Sequence, residues 1–419
     1  MGILERIKEI EQEMDKTQRN KATEGHLGML KARLAKLRSE LLTPSAGGGG
    51  GGGFDVARSG DGRVAMIGFP SVGKSSMLNE LTETESVAAG YEFTTLTCIP
   101  GNIFYNDTRI QLLDLPGIIE GAAYGRGRGR EVIAVARSSD LILMVLDGAK
   151  EGVNQHRQIL ERELETVGLR LNKTPPNVYF RMKKDGGVKF NNTVALTRLG
   201  DDPASTVKRV LSEYKIHNCE VLVREDVSID DIVDVVQGNR KYVKCLYVYN
   251  KVDMISIEDM EKLARAPNSI VVSVHMKLNL PGLLEKMWEY MGLIRIFTKR
   301  KGHPPDFVDP VILSSERSGT NVKAATQHIS KEMIDIFNYA LVWGRSTKHD
   351  PMRCGLAHPL QDEDVLQIVP KTITQQASYH IIATSFFFFF FKRSKGYVKI
   401  AQGAKDALAT RRKKKPLKT

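Results

Sequence analysis

The chain has 419 residues, of which 42% are hydrophobic and 26% are charged. This length excludes a single ordinary domain, and the composition is that of a soluble globular protein with enough apolar residues for a core. The formal net charge of +12 is concentrated in residues 392–419, which hold eleven Lys or Arg and one acidic residue; such a segment contacts a polyanion such as RNA or stays solvated.

Residues 1–43 predict one or two amphipathic helices. Leucines recur at helical spacing, at Leu27, Leu30, Leu34, Leu37 and Leu41. Pro44 ends the segment, and the glycine run at 47–53 follows as a flexible linker. We interpret the segment as a helical hairpin packed on the next domain, with an interaction surface as the alternative.

Short apolar strands alternate with helices from Arg63 onward. The strands are predicted at Val64–Gly68, Ile110–Asp114, Leu141–Asp147, Leu246–Asn250 and Ile270–Ser273. A helix is expected at His156–Val167, with Gly168 as its cap. Nearly continuous apolar strands separated by helices indicate a doubly wound parallel α/β sheet, because helices cover both faces of such a sheet.

The stretch at 171–240 interrupts this alternation and predicts a small α/β insert. Strands are expected at Val178–Met182 and Val188–Leu196, and the Gly186-Gly187 pair between them indicates a hairpin. Helices are expected at Ser205–Tyr214 and Ser228–Val236.

A last unit begins at Ile294 and is expected to have a small ubiquitin-like β-grasp fold. Its strands are predicted at Ile294–Thr298, Val311–Leu313, Tyr339–Trp343 and Val365–Val369, with a helix at Asn321–Phe337. The resulting order ββαββ is the basis of this prediction.

The first strand of the α/β sheet leads into the phosphate-binding motif G-x-x-x-x-G-K-[ST]. Its residues are Gly68, Phe69, Pro70, Ser71, Val72, Gly73, Lys74 and Ser75. The glycines let backbone N–H groups turn toward phosphates, and the N-terminus of a helix predicted at Lys74–Leu81 adds positive potential. Lys74 can reach the β- and γ-phosphates, and Ser75 can ligate Mg²⁺. The motif predicts a nucleoside triphosphate site.

A second motif, D-x-x-G, follows the strand that ends at Leu113. It consists of Asp114, Leu115, Pro116 and Gly117. The Asp114 carboxylate can hold Mg²⁺ through water, and the Gly117 N–H can bond the γ-phosphate and lose that bond on hydrolysis. A plain strand-to-turn junction is the alternative interpretation of this motif when it is taken alone.

A third motif selects the base. It consists of Asn250, Lys251, Val252 and Asp253. The Asp253 carboxylate can accept from both N1–H and the 2-amino group of guanine, whereas adenine presents an acceptor at N1. Asn250 can bond the base edge, and the Lys251 stem can cover the ring. Ser273 ends a later strand, where a backbone N–H can meet the guanine carbonyl. Because parallel strands end at one sheet edge, the motifs together predict one GTP site.

Two segments resemble the switch regions of the Obg-related GTPases. They are Tyr91–Gly101 (YEFTTLTCIPG) and Asp114–Ala122 (DLPGIIEGA). From Met1 to about Val369 the chain resembles the eukaryotic developmentally regulated GTP-binding proteins (DRG) more closely. Met1–Glu5, Tyr247–Asn250 and Met276–Leu280 are similar to the second of the eukaryotic paralogues.

This resemblance implies a P-loop GTPase domain with an N-terminal helical hairpin, an α/β insert and a C-terminal TGS domain of β-grasp fold. We therefore expect a helical hairpin at 1–45, a Gly-rich linker at 46–60, a GTPase domain at 61–170 and 241–293, the insert at 171–240, a TGS-like domain at 294–370 and a basic tail at 371–419.

The resemblance also implies catalytic and metal-binding roles. It assigns Thr95 as a switch I ligand of Mg²⁺ together with Ser75, and the adjacent Thr94 is an alternative ligand. Lys74, Thr95 and Gly117 are the residues expected around the reacting phosphate.

Two departures from related GTPases bear on mechanism. Many small GTPases place Gln after the switch II glycine to orient the attacking water; here the residue is Ile118, so slow intrinsic hydrolysis is expected. Potassium-activated relatives carry Asn at the position of Ser71. A serine hydroxyl is a weaker K⁺ ligand, so Mg²⁺ is the expected cofactor and K⁺ a second candidate.

Family resemblance further implies partners and a location. GTP and GDP, a DRG family regulatory protein, the ribosome or RNA, and microtubules are the expected partners, in the cytoplasm or also the nucleus. Scattered cysteines fit a reducing compartment, and the apolar run at 380–391 is too short for a membrane span. The alternative function is a nucleotide-dependent RNA- or ribosome-binding scaffold with little turnover.

Overall fold

The structure is a computed structural model that describes residues 3–18, 20, 23–42, 59–82, 99–115, 135–200 and 202–371. Of the predicted site residues, Thr95, Pro116, Gly117 and Ile118 lie outside these ranges, as do the alternative Thr94, most of the linker and nearly all of the tail. The described residues form two compact units: one extends to Leu293 and includes Ser314–Glu316, and the other contains Ile294–Leu313 and Arg317–Lys371.

The elements of the first unit follow in chain order. They are α1 (Ile3–Lys16), α2 (Glu24–Leu42), β1 (Gly62–Ile67), α3 (Lys74–Leu81), β2 (Ile99–Tyr105), β3 (Thr108–Asp114), β4 (Leu141–Asp147), α4 (Val153–Thr166), β5 (Leu169–Leu171), β6 (Val178–Met182), β7 (Val188–Asn192), α5 (Pro203–Glu213), β8 (Cys219–Val223), α6 (Ile229–Gln237), β9 (Lys241–Asn250), α7 (Ile257–Ala264), β10 (Ser269–Val271) and α8 (Leu280–Met291), with a 3₁₀ turn at Val252–Met254.

A seven-stranded sheet forms the core of this unit, in the order β10-β9-β4-β1-β3-β2, with β5 also paired to β9. All pairs are parallel except β2–β3. Every residue of β1 and β4 is buried, as expected for strands covered on both faces. The predicted doubly wound α/β fold is confirmed.

Two strands of this sheet were absent from the sequence prediction. β2 contains Pro100 and Gly101, which weaken a strand pattern, and it lies at the sheet edge, where proline is tolerated. β5 has only three residues, too few for periodicity to show. The helix after β4 begins at Val153 rather than at His156, and Gly168 follows it with φ +94°.

The N-terminal helices pair with each other through Ile7, Ile10, Leu30 and Leu34. α2 then packs on the insert, since Ala32 and Ala35 share a buried cluster with residues of α5 and α6. The Tyr214 hydroxyl donates to the Ala32 carbonyl over 3.1 Å. No helix among the described residues combines the length and the apolarity that crossing a membrane requires.

The insert contains a three-stranded sheet in the order β6-β8-β7. β6 is antiparallel to β8, and β7 is parallel to β8. The predicted hairpin between Val178–Met182 and Val188–Leu196 is therefore wrong, because β8 lies between the two strands. β8 is remote in sequence, so neither local periodicity nor the glycine turn could reveal it.

A buried ion network joins the insert to the large sheet. Arg170 on β5 donates to both oxygens of Asp234 on α6, over 2.6 and 2.9 Å, and Arg240 donates to the same carboxylate over 3.0 Å. The Asp234 side chain is only 2% exposed. The network thus fixes α6 close to both points where the chain leaves and re-enters the sheet.

Replacing Asp234 with Ala should destabilise the protein by roughly 3–5 kcal/mol, because it leaves two largely buried guanidinium groups without their carboxylate. Urea denaturation of the full chain measures the change. Asp230→Ala on the same helix is the matched control, since Asp230 is 53% exposed in its ion pair with Lys31 and such pairs contribute less than about 1 kcal/mol. Equal effects of the two substitutions would contradict the assigned role.

The second unit contains β11 (Leu293–Lys299), β12 (Pro305–Ser314), α9 (Val322–Ile329), a 3₁₀ turn (Glu332–Ile334), β13 (Phe337–Trp343), β14 (Met352–Cys354) and β15 (Asp364–Pro370). Its sheet has the order β12-β11-β15-β13-β14, and α9 contributes Val322, Ala324 and Ala325 to its core. This arrangement agrees with the predicted β-grasp fold.

The helix predicted at Asn321–Phe337 is shorter than expected. Asn321 caps its start by accepting from the Ala324 N–H over 2.8 Å, but the backbone at Ser330 is extended, with φ −161° and ψ 131°. Phe337 instead begins β13 and is buried. Apolar residues on either side of the break keep helical spacing, so the sequence pattern alone did not show it.

Candidate functional site

The phosphate-binding motif forms the turn between β1 and α3, and its glycines are required by close contacts. A Cβ atom at Gly68 would lie 2.3 Å from the Val145 carbonyl oxygen. Gly73 has φ +99°, and a Cβ there would lie 2.4 Å from the Asn250 amide nitrogen. The predicted helix Lys74–Leu81 agrees with α3. The turn therefore directs its backbone toward the carboxyl edge of the sheet, as a phosphate cradle requires.

Lys74 is the buried cation of this turn, 8% exposed. Its Nζ donates to the carbonyl oxygens of Gly68 and Phe69, each over 3.0 Å. Burial lowers the pKa of Lys74, and the charge of Asp114 opposes that effect. An ammonium held by neutral carbonyls can transfer its hydrogen bonds to phosphate oxygens without leaving a charged partner behind.

Ser75 and Asp114 meet although 39 positions separate them in sequence. The Ser75 hydroxyl donates to Asp114 Oδ2 over 2.6 Å, because β1 and β3 are adjacent and parallel, with Met66 opposite Asp114. The other carboxylate oxygen, Oδ1, is buried and accepts no hydrogen bond from any residue that the structure describes. A buried carboxylate oxygen of this kind needs a donor, a water or a cation.

Asn250 connects the phosphate turn to the loop after β10. Its Nδ2 donates to the Val72 carbonyl over 2.9 Å, and its Oδ1 accepts from the Val274 N–H over 3.1 Å. The sequence suggested contact with the base edge. In the structure both ends of the amide hold the surrounding loops, and contact with the base edge stays a prediction.

Lys251 adopts a left-handed backbone conformation, φ +64°, and its side chain is held at two points. Nζ donates to the Ser71 carbonyl over 3.0 Å and to Asp147 Oδ2 over 2.7 Å. Asp147 also accepts from the Ala149 N–H over 3.1 Å, and it is 7% exposed. The Lys251 stem is thereby aligned along the edge where the predicted base would lie.

Sequence reasoning did not identify Asp147 as a site residue. The signal was present: an acidic residue directly follows six apolar residues of β4, at the carboxyl end of a parallel strand. It lies opposite Asn250 in the register of β4 and β9.

Asp147→Asn should weaken GTP and GDP binding by about tenfold each, because the ion pair that positions Lys251 becomes a weaker hydrogen bond from the ammonium to a neutral amide oxygen. Fluorescent-nucleotide titration gives both constants, and their ratio should not change. Glu151→Gln, an exposed acidic residue in the following turn, is the matched control. Unaltered nucleotide affinity in Asp147→Asn would show that Lys251 needs no such support.

Asp253 and Ser273 form the last pair of the site. The Ser273 hydroxyl donates to Asp253 Oδ1 over 2.5 Å, and the Met276 N–H donates to that hydroxyl over 3.2 Å. The Ser273 hydrogen bond lowers the pKa of Asp253, so the group is an ionised, purely accepting carboxylate near neutral pH. Such a group fits the paired donors of guanine.

The remaining predicted residues take part through the backbone or the rim. Leu115 and Val252 are buried, at 1% and 6% exposure, and the Phe69 ring packs against His156 at 5.0 Å between centroids. Pro70 and Ser71 are exposed at the turn. The three motifs thus lie around one edge of the sheet. Ser75 joins the first motif to the second, and Asn250 and Lys251 join it to the third.

Three family models match consecutive parts of the chain. A model described as a 50S ribosome-binding GTPase matches residues 63–181. A model of the C-terminal region of that domain matches residues 185–293, and a TGS domain model matches residues 294–370.

Curated relatives match across most or all of the chain. Developmentally-regulated G-protein 1 of Arabidopsis thaliana is 56% identical over 420 residues, covering 100% of both chains. Developmentally-regulated GTP-binding protein 2 of Homo sapiens is 58% identical over 372 residues, which is 88% of this chain and 100% of the human one. GTP-binding protein 1 of Schizosaccharomyces pombe is 53% identical over 372 residues, with the same coverage. With its P-loop GTPase and TGS domains, the chain belongs to the developmentally regulated GTP-binding protein family and is a GTPase.

Proposed function

We propose that this GTPase is a slow, magnesium-dependent switch whose nucleotide state controls its binding to the ribosome. The main observation in support of a magnesium-dependent switch is the Ser75–Asp114 pair. Its hydrogen bond is 2.6 Å long, and it lies beside the buried ammonium of Lys74. A phosphate cradle, a metal-binding pair and a guanine-accepting carboxylate at one sheet edge are the parts that a GTP-dependent switch needs.

The donor set fits Mg²⁺. Ser75 donates its proton to Asp114 and keeps its oxygen lone pairs for a metal, while Asp114 Oδ1 is free to hold a metal-bound water. In nucleotide sites Mg²⁺ is bound chiefly by phosphate, hydroxyl and water oxygens. When bound, Mg²⁺ neutralises charge on the β- and γ-phosphates.

Each residue of the site has a proposed role in this scheme. Lys74 stabilises charge on the transferred phosphoryl group, and Thr95 completes the metal ligands with Ser75. Gly117 senses the γ-phosphate through its N–H. Asp253 selects guanine, and Lys251 covers the base.

Slow intrinsic turnover is proposed because Ile118 cannot orient a water molecule by hydrogen bonding. Another group, a cation or a partner must then supply that function. K⁺ is the cation to examine, and turnover in KCl compared with NaCl tests it. A ribosome or a DRG family regulatory protein is the macromolecular candidate for an activator. Microtubules are a further proposed partner, and the cytoplasm, with the nucleus as a second site, is the proposed location.

The ribosomal role is supported by the description of the matching GTPase model. Cosedimentation of the full chain with ribosomes tests it, with GDP or a nonhydrolysable GTP analogue present. We expect clear retention with the analogue and weaker retention with GDP. Equal retention in both states would reject the switch and favour the alternative, a scaffold that uses GTP as a structural ligand.

A further inference from the structure

The insert sheet β6-β8-β7 has two unlike faces. One face carries Val178, Phe180, Val188 and Phe190, which pack on the buried cluster formed with α5 and α6. The alternate residues point to the other side. We call that side the outer face, and it consists of Tyr179, Arg181, Lys189, Asn191, Glu220 and Leu222.

Strand register arranges the outer face in two rows. Tyr179 and Asn191 both lie opposite Leu222, on either side of it. Arg181 and Lys189 both lie opposite Glu220 in the same way. Residues two apart on one strand are separated by roughly 7 Å, so an aromatic and amide row runs beside a cationic row at about the spacing of one nucleotide.

The outer face is exposed and basic. Tyr179 is 45% exposed, and Arg181, Lys189 and Asn191 are exposed as well. The single acidic residue of the face, Glu220, already pairs with Lys183 over 2.5 Å. That hydrogen bond, with the charges of Lys189 and Arg181, lowers the pKa of Glu220. Arg181 and Lys189, with the neighbouring Lys183, outnumber the one carboxylate, which leaves positive charge available for a ligand.

We propose that the outer face of the insert sheet binds single-stranded RNA, with a base stacked on Tyr179 and the adjoining phosphates paired with Arg181 and Lys189. Asn191 can donate to and accept from a base edge, and Leu222 can contact the same base from below. Aromatic rings beside a cationic track are the common means by which proteins hold single strands. The proposal deepens the proposed ribosomal function, on which it depends for its biological setting.

An acidic protein segment is the competing occupant. It would use the cationic row but would gain little from an exposed ring set one row away. The ring and the cations together therefore favour RNA. Substituting the ring and substituting the cations test the two contacts separately.

The test is binding of a labelled single-stranded RNA oligonucleotide to the full chain, followed by anisotropy over a range of salt concentrations. Tyr179→Ala should weaken binding by roughly 5- to 100-fold, the effect of losing one stacked base, and Tyr179→Phe should restore it. Arg181→Ala with Lys189→Ala should lower the slope of log K against log salt by about 1.4, as expected for two lost phosphate contacts. The control is Lys208→Ala with Lys262→Ala, which removes the same charge outside the outer face. It should change neither the RNA affinity nor the salt slope.

Loss of affinity in both outer-face variants, with the control pair unaffected, supports the proposal. Unchanged affinity in both overturns it and assigns RNA binding elsewhere, such as the basic segment 392–419. Weakening by the charge pair alone also overturns it, because it would show contact with phosphates and no stacked base. GTP turnover without ribosomes should be unchanged in every variant, which verifies folding.

The outcomes also separate this inference from the ribosomal proposal. Tyr179-dependent RNA binding with no nucleotide-dependent ribosome retention would reject the ribosomal switch and keep the RNA site. If Tyr179→Ala leaves both nucleotide-dependent ribosome retention and RNA affinity unchanged, the ribosomal switch is kept and the RNA site on the outer face is rejected.

Discussion

Replacing Lys74 with Ala is expected to lower GTP turnover by about 10²–10³-fold, the usual cost of removing one preorganised donor from a charged transition state. Lys74 is buried and supported by two carbonyl groups, so its ammonium is already placed for the phosphates before nucleotide binds. The substitution should therefore affect turnover far more than folding.

Single-turnover hydrolysis of GTP by the full chain measures this effect. Lys150→Ala is the control, because Lys150 is an exposed lysine at the end of the turn after β4 and should have little influence. A Lys74→Ala variant within threefold of the unaltered chain would show that the phosphate cradle acts without this cation.

Asp253→Asn should exchange guanine for xanthine specificity. The carboxylate accepts two donors from guanine, whereas an amide presents one acceptor and one donor. Xanthine keeps N1–H but has a carbonyl at position 2, so it matches the amide. Since the variant loses a hydrogen bond to a charged group and sets an amide donor against the guanine 2-amino group, GTP affinity should fall by about 10²–10⁴-fold. Ser273 can still donate to the amide oxygen.

Competition binding with GDP and XDP tests the exchange. Asp259→Asn is the control on the neighbouring helix, where the carboxylate is 60% exposed in its pair with Lys262. We expect the Asp253→Asn variant to bind XDP more tightly than GDP. The Asp259→Asn control should still bind GDP more tightly than XDP. A variant that still prefers GDP would show that another residue selects the base.

Most of the site could be predicted from the sequence because each motif follows a strand. Strand ends in a parallel sheet converge whatever their spacing in the chain, so Ser75, Asp114 and Asp253 could be grouped before any fold was known. Lys74 and its helix followed from local pattern alone. The role of Asn250 in joining two loops could not, because its partners Val72 and Val274 are backbone groups that carry no sequence signal.

Two of the errors in the fold share one physical origin. β8 separates β6 from β7 through hydrogen bonds between remote segments, and the end of α9 depends on Phe337 being buried in a strand. Both are tertiary effects that override local propensity. The omission of Asp147 has a different cause. Its position directly after an apolar strand is visible in the sequence, but only the hydrogen bond from Lys251 shows that Asp147 holds that lysine in place.

The most direct test of the account is multiple-turnover GTP hydrolysis by the purified chain, with and without ribosomes, beside Lys74→Ala. We expect slow turnover by the chain alone, faster turnover with ribosomes, and loss of both in the variant. Tight GTP binding with no turnover under either condition would contradict it and leave a nucleotide-dependent scaffold in its place.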